Sequence, residues 1–294
     1  MSSRMKIAIT TDSNSGILTD ESKDKGVYVL PMPFLINGDC FFENVNLSQS
    51  QFYEKLAQNA EVSTSQPSVS EVSEFWQDIL KNYDEIVHIP TSSVLSNSCS
   101  TAMAIAKQDE FAGKVFVVDN RRISIALKSS VLDAAKLREQ EKSSEKIKAY
   151  LENTASDYSI YLSIENMKYL KKGGRVSPAV AAIGSMLKLR PVLHLGGDKL
   201  EKFAIPRTLL KAKETIINAI HKDLTTHFKD ALANGEMKLC MAYANNPDDA
   251  KTFQAEVEKR FPNVCVLCND PISLSIACHT GPATIALGCV RVVK

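Results

Sequence analysis

Several features that place a protein in a membrane or outside the cell are missing from this chain of 294 residues. No window approaches the ~20 uninterrupted apolar residues of a membrane-spanning helix. Met1 runs almost directly into a strand-like segment at 6–10, without the apolar region and cleavage site of a signal peptide. The seven cysteines are odd in number and scattered, unlike a disulfide framework. We therefore expect a cytoplasmic protein with at most transient membrane contact.

An excess of charge of one sign is also missing. Lysine and arginine total 35, aspartate and glutamate total 34, and the formal charge at pH 7 is +1. A nucleic-acid-binding surface requires clustered basic residues in excess, so we expect no nucleic-acid partner. Cys265 and Cys268 lack the second cysteine pair of a zinc ribbon, and no glycine-rich nucleotide-binding loop occurs. The sequence therefore predicts neither a metal nor a cofactor.

What the chain does have is enough apolar sequence for a large core, with 44% hydrophobic residues. In the first half, short apolar runs alternate with segments whose apolar residues recur at helical spacing. The predicted strands are 6–10, 27–33, 34–37, 85–90 and 114–119, and the predicted helices are 48–58, 70–83, 98–108 and 124–139. This alternation indicates βαβ units and a mostly parallel sheet.

The second half continues the α/β pattern from about residue 156. Its predicted strands are 159–164, 192–195, 200–204, 238–244, 264–267 and 287–293, and its predicted helices are 179–189, 209–228 and 247–260. Gly196-Gly197-Asp198 predicts a hairpin turn between two of these strands. The length fits one large domain or two ordinary ones. We expect two α/β domains, 1–155 and 156–294, that share a cleft.

Three segments carry side chains suited to binding an anion, namely 64–68, 91–98 and 278–282. The first two precede predicted helices, whose N-termini have unpaired N–H groups and a partial positive charge. Their hydroxyls also suit simple helix capping, which is the commoner role of serine and threonine there. His279 in the third segment, which we expect to be a tight turn, is open to a structural or a ligand-binding interpretation, and so is the basic turn at 171–175.

An enzymatic alternative makes Ser96 a nucleophile and His279 its base, as in a serine-dependent acyl hydrolase. The chain lacks the Gly-x-Ser-x-Gly nucleophile elbow, and no particular aspartate can be assigned to orient the histidine. Binding without catalysis is therefore the favoured interpretation of these residues.

Six short motifs occur in an order that resembles the DegV family over the length of the chain. Each motif alone is weak, but six in the family's order are hard to obtain by chance. They are Thr11-Asp12-Ser13, Thr64-Ser65-Gln66-Pro67, Ser92-Ser93-Val94-Leu95-Ser96, the segment 169–177 (Tyr-Leu-Lys-Lys-Gly-Gly-Arg-Val-Ser), Pro206-Arg207-Thr208 and His279-Thr280-Gly281-Pro282.

The resemblance implies a carrier, not an enzyme, that buries a long-chain fatty acid in a tunnel between two α/β domains. The residues that it assigns to the carboxylate site are Thr64, Ser65, Ser96, Asn97, His279 and Thr280. It places Arg175 and Arg207 near the head group or a partner. Several members are similar to the fatty-acid-binding subunit of bacterial fatty acid kinase. The implied partner is therefore an ATP-binding kinase protein that phosphorylates the presented carboxylate.

Two positions depart from the family's pattern. After Leu95-Ser96 the family usually has Gly-Thr-Tyr, where this chain has Asn97-Ser98-Cys99, and the last glycine of the C-terminal turn is Ala283 here. Asparagine tolerates a positive φ better than most residues, so Asn97 is expected to keep the turn. Alanine at position 283 would disfavour a left-handed backbone conformation there. The geometry of the head-group site depends on these two positions.

Overall fold

The computed structural model describes residues 5–17, 22, 26–177, 180, 189–196 and 199–294. In the first half, the strands are β1 (Ile7–Asp12), β2 (Val27–Leu30), β3 (Pro33–Ile36), β4 (Asp39–Phe42), β5 (Val62–Thr64), β6 (Glu85–Ile89) and β7 (Val115–Val117). The helices there are α1 (Gln49–Ala57), α2 (Val69–Leu80), α3 (Ser98–Ile105), α4 (Ser124–Glu139) and α5 (Ser144–Asn153). A single 3-10 turn, Ser13–Ser15, follows β1.

The second half adds six strands and five helices within the described residues. The strands are β8 (Tyr158–Ser163), β9 (Val192–Leu195), β10 (Glu201–Ala204), β11 (Met237–Tyr243), β12 (Val266–Pro271) and β13 (Ile285–Arg291). The helices are α6 (Met167–Gly173), α7 (Leu209–Thr225), α8 (Lys229–Ala233), α9 (Pro247–Arg260) and α10 (Leu274–Thr280). The predicted mixed α/β fold is confirmed.

A four-stranded sheet in the order β2-β1-β6-β7 forms the centre of the first half, and every pair in it is parallel. All six residues of β1 are buried, because helices cover both faces of the sheet. The α4 and α5 helices pack on one face, and α2 and α3 pack on the other. The mostly parallel first sheet is therefore as predicted, and the carboxyl ends of β1 and β6 lie side by side at one edge.

A six-stranded sheet in the order β10-β9-β8-β13-β11-β12 forms the second half, with one parallel pair between β11 and β12. One face packs against α7 and α9 through residues such as Ile216, Ile220 and Phe253. The other face belongs to a core that also contains the small antiparallel sheet β4-β3-β5 and α1. The two halves therefore meet on this second face. The domain boundary at 155 stays a prediction.

Local sequence signals explain most of the helix starts. The side chains of Ser48 and Ser68 each accept a hydrogen bond from the backbone N–H three residues on. The side chains of Gln51 and Glu71 in turn accept hydrogen bonds from the backbone N–H groups of Ser48 and Ser68, so α1 and α2 both begin with a capping box. Capping is thus the role of Ser68 in the 64–68 segment, while Thr64 ends β5.

The 278–282 segment was expected to be a tight turn, and that expectation is wrong for its first half. Residues 278–280 complete the α10 helix, and the chain turns only at Gly281, where φ is +80°. Ser273 occupies the cap position of α10 but makes no side-chain cap.

Parts of the chain that bear on other predictions lie outside the described residues. They include 181–188, within the predicted helix 179–189, and Gly197 and Asp198 of the predicted hairpin turn. Within the described ranges, no helix combines the length and the apolar character needed to cross a membrane.

Candidate functional site

A cavity of about 220 Å³ lies between the carboxyl ends of the parallel strands and one face of the six-stranded sheet. Most of its lining is apolar. The apolar wall includes Ile160, Leu162, Leu195, Ala242 and Ala286 from the six-stranded sheet and Ile125 from α4. The polar side chains at the cavity belong to two clusters.

Every residue that the sequence predicted for a carboxylate site lines this cavity. These residues are Thr64, Ser65, Ser96, Asn97, His279 and Thr280. Arg175 lines it as well, whereas Arg207 lies exposed between β10 and α7 and does not. We call Thr64, Ser96, His279 and Thr280 the mouth cluster, because the exposed residues Asn97 and Arg175 border the cavity beside them.

The mouth cluster is organised around the imidazole of His279. The hydroxyl oxygen of Thr64 lies 3.0 Å from Nε2 of His279, across 215 positions of sequence. Burial, and then the positive charge of Arg175, lowers the pKa of His279 to about 4, so the ring is neutral near pH 7. In the tautomer with a proton on Nε2, His279 donates to Thr64. The hydroxyl hydrogen of Thr64 is then free to donate to an anion in the cavity.

Glycine at position 173 makes room for this imidazole. A Cβ atom at Gly173 would lie 2.1 Å from Nδ1 of His279, far inside contact distance. Gly281, which ends α10, is constrained in the same way, because a Cβ atom there would lie 2.7 Å from the ring of Tyr169. The α6 and α10 helices therefore approach closely only because both positions are glycine.

Ser96 stands just before α3 and retains hydrogen-bonding capacity. Its hydroxyl lies 2.9 Å from the Ser98 hydroxyl and accepts a hydrogen bond from the Ser98 backbone. Asn97 occupies the cap position of α3 without making a side-chain cap. The Thr280 hydroxyl is buried and has no hydrogen-bond partner among the described residues. A ligand at this end of the cavity would therefore find hydroxyls that the protein itself does not satisfy.

A second cavity, of about 270 Å³, adjoins the mouth cluster and shares Leu95, Ser96, Asn97 and Arg175 with the first. Lys199 lines this outer cavity. Within the described part of the chain, neither Arg175 nor Lys199 has a carboxylate partner. The outer side of Ser96 is thus a positively charged opening.

The second polar cluster lies at the carboxyl ends of β1 and β6. Asp12 accepts hydrogen bonds from the backbone N–H and the hydroxyl of Thr91, at 2.6 and 2.9 Å, and from the backbone N–H of Asn14 at 3.0 Å. Burial raises the pKa of Asp12 to about 6, against these stabilising hydrogen bonds. The amide of Asn14 donates to Thr91 and accepts from the hydroxyl of Ser275. We call Asp12, Asn14, Thr91 and Ser275 the inner cluster.

The hydrolase alternative finds little support in this geometry. Nε2 of His279 faces Thr64, and Nδ1 faces Gly173 rather than a carboxylate. Among the described residues, none places a carboxylate against the ring, as an orienting residue of a catalytic triad would. The hydroxyl of Ser96 contacts Ser98 instead of His279.

Comparison with known proteins identifies the family of this chain. A family model described as "Uncharacterised protein, DegV family" matches residues 6–292. The chain belongs to the DegV family. The resemblance that the six motifs suggested is thereby confirmed.

Relatives of known sequence and structure cover nearly the whole of this DegV-family chain. The DegV protein of Bacillus subtilis is 27% identical over 285 residues, which are 96% of this chain and 98% of the relative. A fatty-acid-binding DegV family protein from Thermus thermophilus has a TM-score of 0.86 at 27% identity, covering 98% of this chain and 100% of its own. The structure of Bacillus subtilis DegV, described as a fatty acid binding protein, gives 0.82 at 27% identity, over 98% and 99%.

The two departures from the DegV pattern leave the backbone unstrained. Asn97 has φ −73°, so the turn does not need the left-handed conformation for which asparagine was thought suitable. Ala283 is not among the described residues with positive φ either. The expectation that these positions require left-handed backbone is therefore wrong, and both substitutions fit the observed conformation.

Sequence reasoning missed the inner cluster and the role of Gly173. The Thr11-Asp12-Ser13 motif contributed to the family resemblance, yet it gave no sign that Asp12 would accept hydrogen bonds from Thr91, which follows another strand. The Gly173-Gly174 pair was the available signal for the close approach of α6 and α10.

Proposed function

We propose that this DegV-family protein encloses a long-chain fatty acid and presents its carboxylate to a separate, ATP-dependent fatty acid kinase. The observation that carries the proposal is the contrast within one cavity. Hydroxyls with spare hydrogen-bonding capacity lie at the mouth, next to Arg175, and an apolar wall continues inward from them. A long-chain carboxylic acid has the complementary distribution of polar and apolar groups.

The two ends of such a ligand contribute differently to affinity. At ~0.8 kcal/mol per methylene, a chain of about 14 methylenes contributes roughly 11 kcal/mol as an upper bound before the costs of binding. Each hydrogen bond to the carboxylate adds about 1.5–3 kcal/mol, part of which its desolvation cancels. The chain therefore supplies most of the affinity. Thr64, Ser96 and His279 orient the head group.

The relatives support the ligand class. The Thermus thermophilus protein and Bacillus subtilis DegV are fatty-acid-binding proteins, and both align with this chain over almost its full length. The family resemblance assigns Thr64, Ser96 and His279 of the mouth cluster to the carboxylate.

Presentation to a kinase is supported by the outer cavity. The carboxylate would lie at Ser96, which borders both cavities, with Arg175 and Lys199 on the outer side. There a carboxylate oxygen attacks the γ-phosphorus of the ATP that the kinase holds. The bond from that phosphorus to the β,γ-bridging oxygen breaks, and the products are acyl phosphate and ADP. Arg207 is exposed on the same half of the chain and is proposed to contact the partner.

Mass spectrometry tests the ligand. We expect protein purified from a bacterial host to release one fatty acid per chain into an organic extract after denaturation. An empty protein, whose stability is unaffected by delipidation or by added fatty acid, would contradict the carrier function.

Phosphate transfer tests presentation. With a bacterial fatty acid kinase and labelled ATP, we expect Ser96→Ala to retain its lipid and to lose most transfer of phosphate to it. Ser100→Ala, which changes an exposed serine on the helix that follows Ser96, is the matched control and should transfer normally. Loss of lipid in Ser96→Ala would mean that the head group, not the chain, supplies the affinity. Equal transfer by both variants would contradict the role of Ser96.

A further inference from the structure

The sizes of the side chains under the cavity change abruptly across the six-stranded sheet. Residues opposite one another on β8, β13 and β11 form a row of Leu162, Ala286 and Ala242. All three line the cavity. Large side chains therefore stand on β8, and the next two strands carry only a methyl group each.

The following row on the same face of the sheet also has a large side chain on β8 and small residues on β13 and β11. In this row, however, neighbouring side chains fill the space above the small residues. Ile160 lies opposite Gly288, which lies opposite Cys240. A Cβ atom at Gly288 would lie 2.9 Å from Cγ1 of Ile160 and 3.4 Å from Cδ1 of Ile125. These two isoleucines thus occupy the space above Gly288. Ile160 and Ile125 line the cavity, whereas Gly288 and Cys240 do not.

Along β13 and β11 the cavity therefore extends over the two alanines and stops before Gly288 and Cys240, where the two isoleucines fill the space. On the other side of Ile160 it reaches Leu195 of β9. The backbone conformation does not require alanine at Ala242 or Ala286. Both have ordinary strand backbone, because neither is among the described residues with positive φ. Strand interiors favour β-branched side chains over alanine, so the small side chains must have another reason.

We infer that Ala242 and Ala286 are specificity-determining residues, and that the space above them, bounded by Ile160, sets the length of the acyl chain. The inference rests on the proposed function, since it assigns part of the cavity to the hydrocarbon of the ligand. Protein interiors are close-packed, so carbon atoms added to Ala242 or Ala286 displace carbon atoms of the ligand. Carbon atoms removed from Ile160 leave space for a longer acyl chain.

The test compares the fatty acids carried by variants produced in one host and supplied with one mixture of chain lengths. Ala286→Val and Ala242→Val each add two carbon atoms, and we expect the mean extracted chain to shorten by about two carbons in each. Ile160→Ala removes three carbon atoms and should lengthen the mean chain by about two or more. Ala219→Val on α7 is the matched control, because Ala219 is buried against the opposite face of the sheet.

The outcomes separate this inference from the proposed function. A wild-type extract without fatty acid would overturn the carrier function itself. Fatty acid in every protein, with the same length distribution in wild type and in all three cavity variants, would overturn only the role of the alanines. Should the valine variants fail to fold, Ile160→Ala decides, and an unchanged distribution in it overturns the inference. An equal shift in Ala219→Val would also overturn it, because the effect would not be local to the cavity.

Discussion

The mouth cluster lines the same cavity as Asn14, Thr91 and Ser275 of the inner cluster, but the two clusters differ in how completely their polar atoms are paired. In the inner cluster, the Asp12 carboxylate accepts three hydrogen bonds, and Asn14 both donates and accepts. In the mouth cluster, the Thr280 hydroxyl has no partner among the described residues. The Thr64 hydroxyl hydrogen is free as well in the tautomer in which Nε2 of His279 donates to Thr64. Two sets of similar residues therefore have different tasks.

The difference in hydrogen-bond pairing distinguishes polar groups that stabilise the fold from polar groups that are available to a ligand. A buried polar group that is fully paired holds elements together, because breaking any one contact leaves its partner unsatisfied. The inner cluster joins the ends of β1 and β6 to α10 in this way. A buried polar group without a partner lowers stability, and its retention is explained when a ligand supplies the missing hydrogen bond. The Thr280 hydroxyl of the mouth cluster, at the other end of α10, is of this second kind.

Removing the Asp12 carboxylate should have the largest effect on stability. Asp12→Ala leaves two N–H groups and one hydroxyl without their acceptor inside the protein. We expect the free energy of unfolding to fall by about 3–5 kcal/mol in chemical denaturation. Asp109→Ala, an exposed aspartate in the same half, should change it by less than about 0.5 kcal/mol. A loss below about 1 kcal/mol in Asp12→Ala would show that the inner cluster is not structural.

His279 of the mouth cluster should make the free energy of unfolding depend on pH. The pKa of His279 is about 4 in the folded protein and about 6.5 in the unfolded chain, so the unfolded chain binds more protons between these values. Stability is therefore complete above pH 6.5 and is lost as the pH falls toward 4. The expected loss is about 1–3 kcal/mol. Bound fatty acid should reduce it, because a carboxylate stabilises the imidazolium.

Other groups titrate in the same range, so a variant is needed to isolate His279. The pKa of His88 is lowered to about 3 by burial, and burial raises the pKa values of Asp12 and Asp133 to about 6. The difference in unfolding free energy between wild type and His279→Gln removes these common contributions. A difference that stays constant from pH 7 to 4 would contradict the pKa assigned to His279.

The fold was largely predictable from the sequence because its signals are local. The helical spacing of Val72, Trp76 and Ile79 predicted α2, and alternation of strands and helices predicted the parallel sheet. Elements without such signals were missed. The β5 strand has only three residues, and β12 extends beyond its predicted end because Asn269 and Asp270 are polar residues in strand conformation. Asp270 is paired with Lys128 of the first half, a contact that no local pattern reveals.

The site was predictable only in part, for the same reason. Thr64, Ser96 and His279, which the family motifs assigned to the carboxylate, line one cavity, and their role in binding a carboxylate stays a prediction. The contacts that form the site are long-range. Thr64 contacts His279 across 215 positions of sequence, and the absence of a side chain at Gly173 leaves room for the His279 ring of α10. Whether a hydroxyl is paired or spare depends on such contacts. The sequence therefore could not distinguish the two clusters.

A pair of threonines on and just after α10 gives the smallest but sharpest test of the comparison. The Thr280 hydroxyl has no partner among the described residues, while the equally buried Thr284 hydroxyl donates to the Thr280 carbonyl at 3.1 Å. Thr280→Val should therefore stabilise the ligand-free protein by about 1 kcal/mol and weaken fatty acid binding about fivefold, whereas Thr284→Val should destabilise it by about 1 kcal/mol. Chemical denaturation of delipidated protein and a fatty acid titration measure both effects. If the two variants lose equal stability, the Thr280 hydroxyl is paired within the protein, and it is not reserved for the ligand.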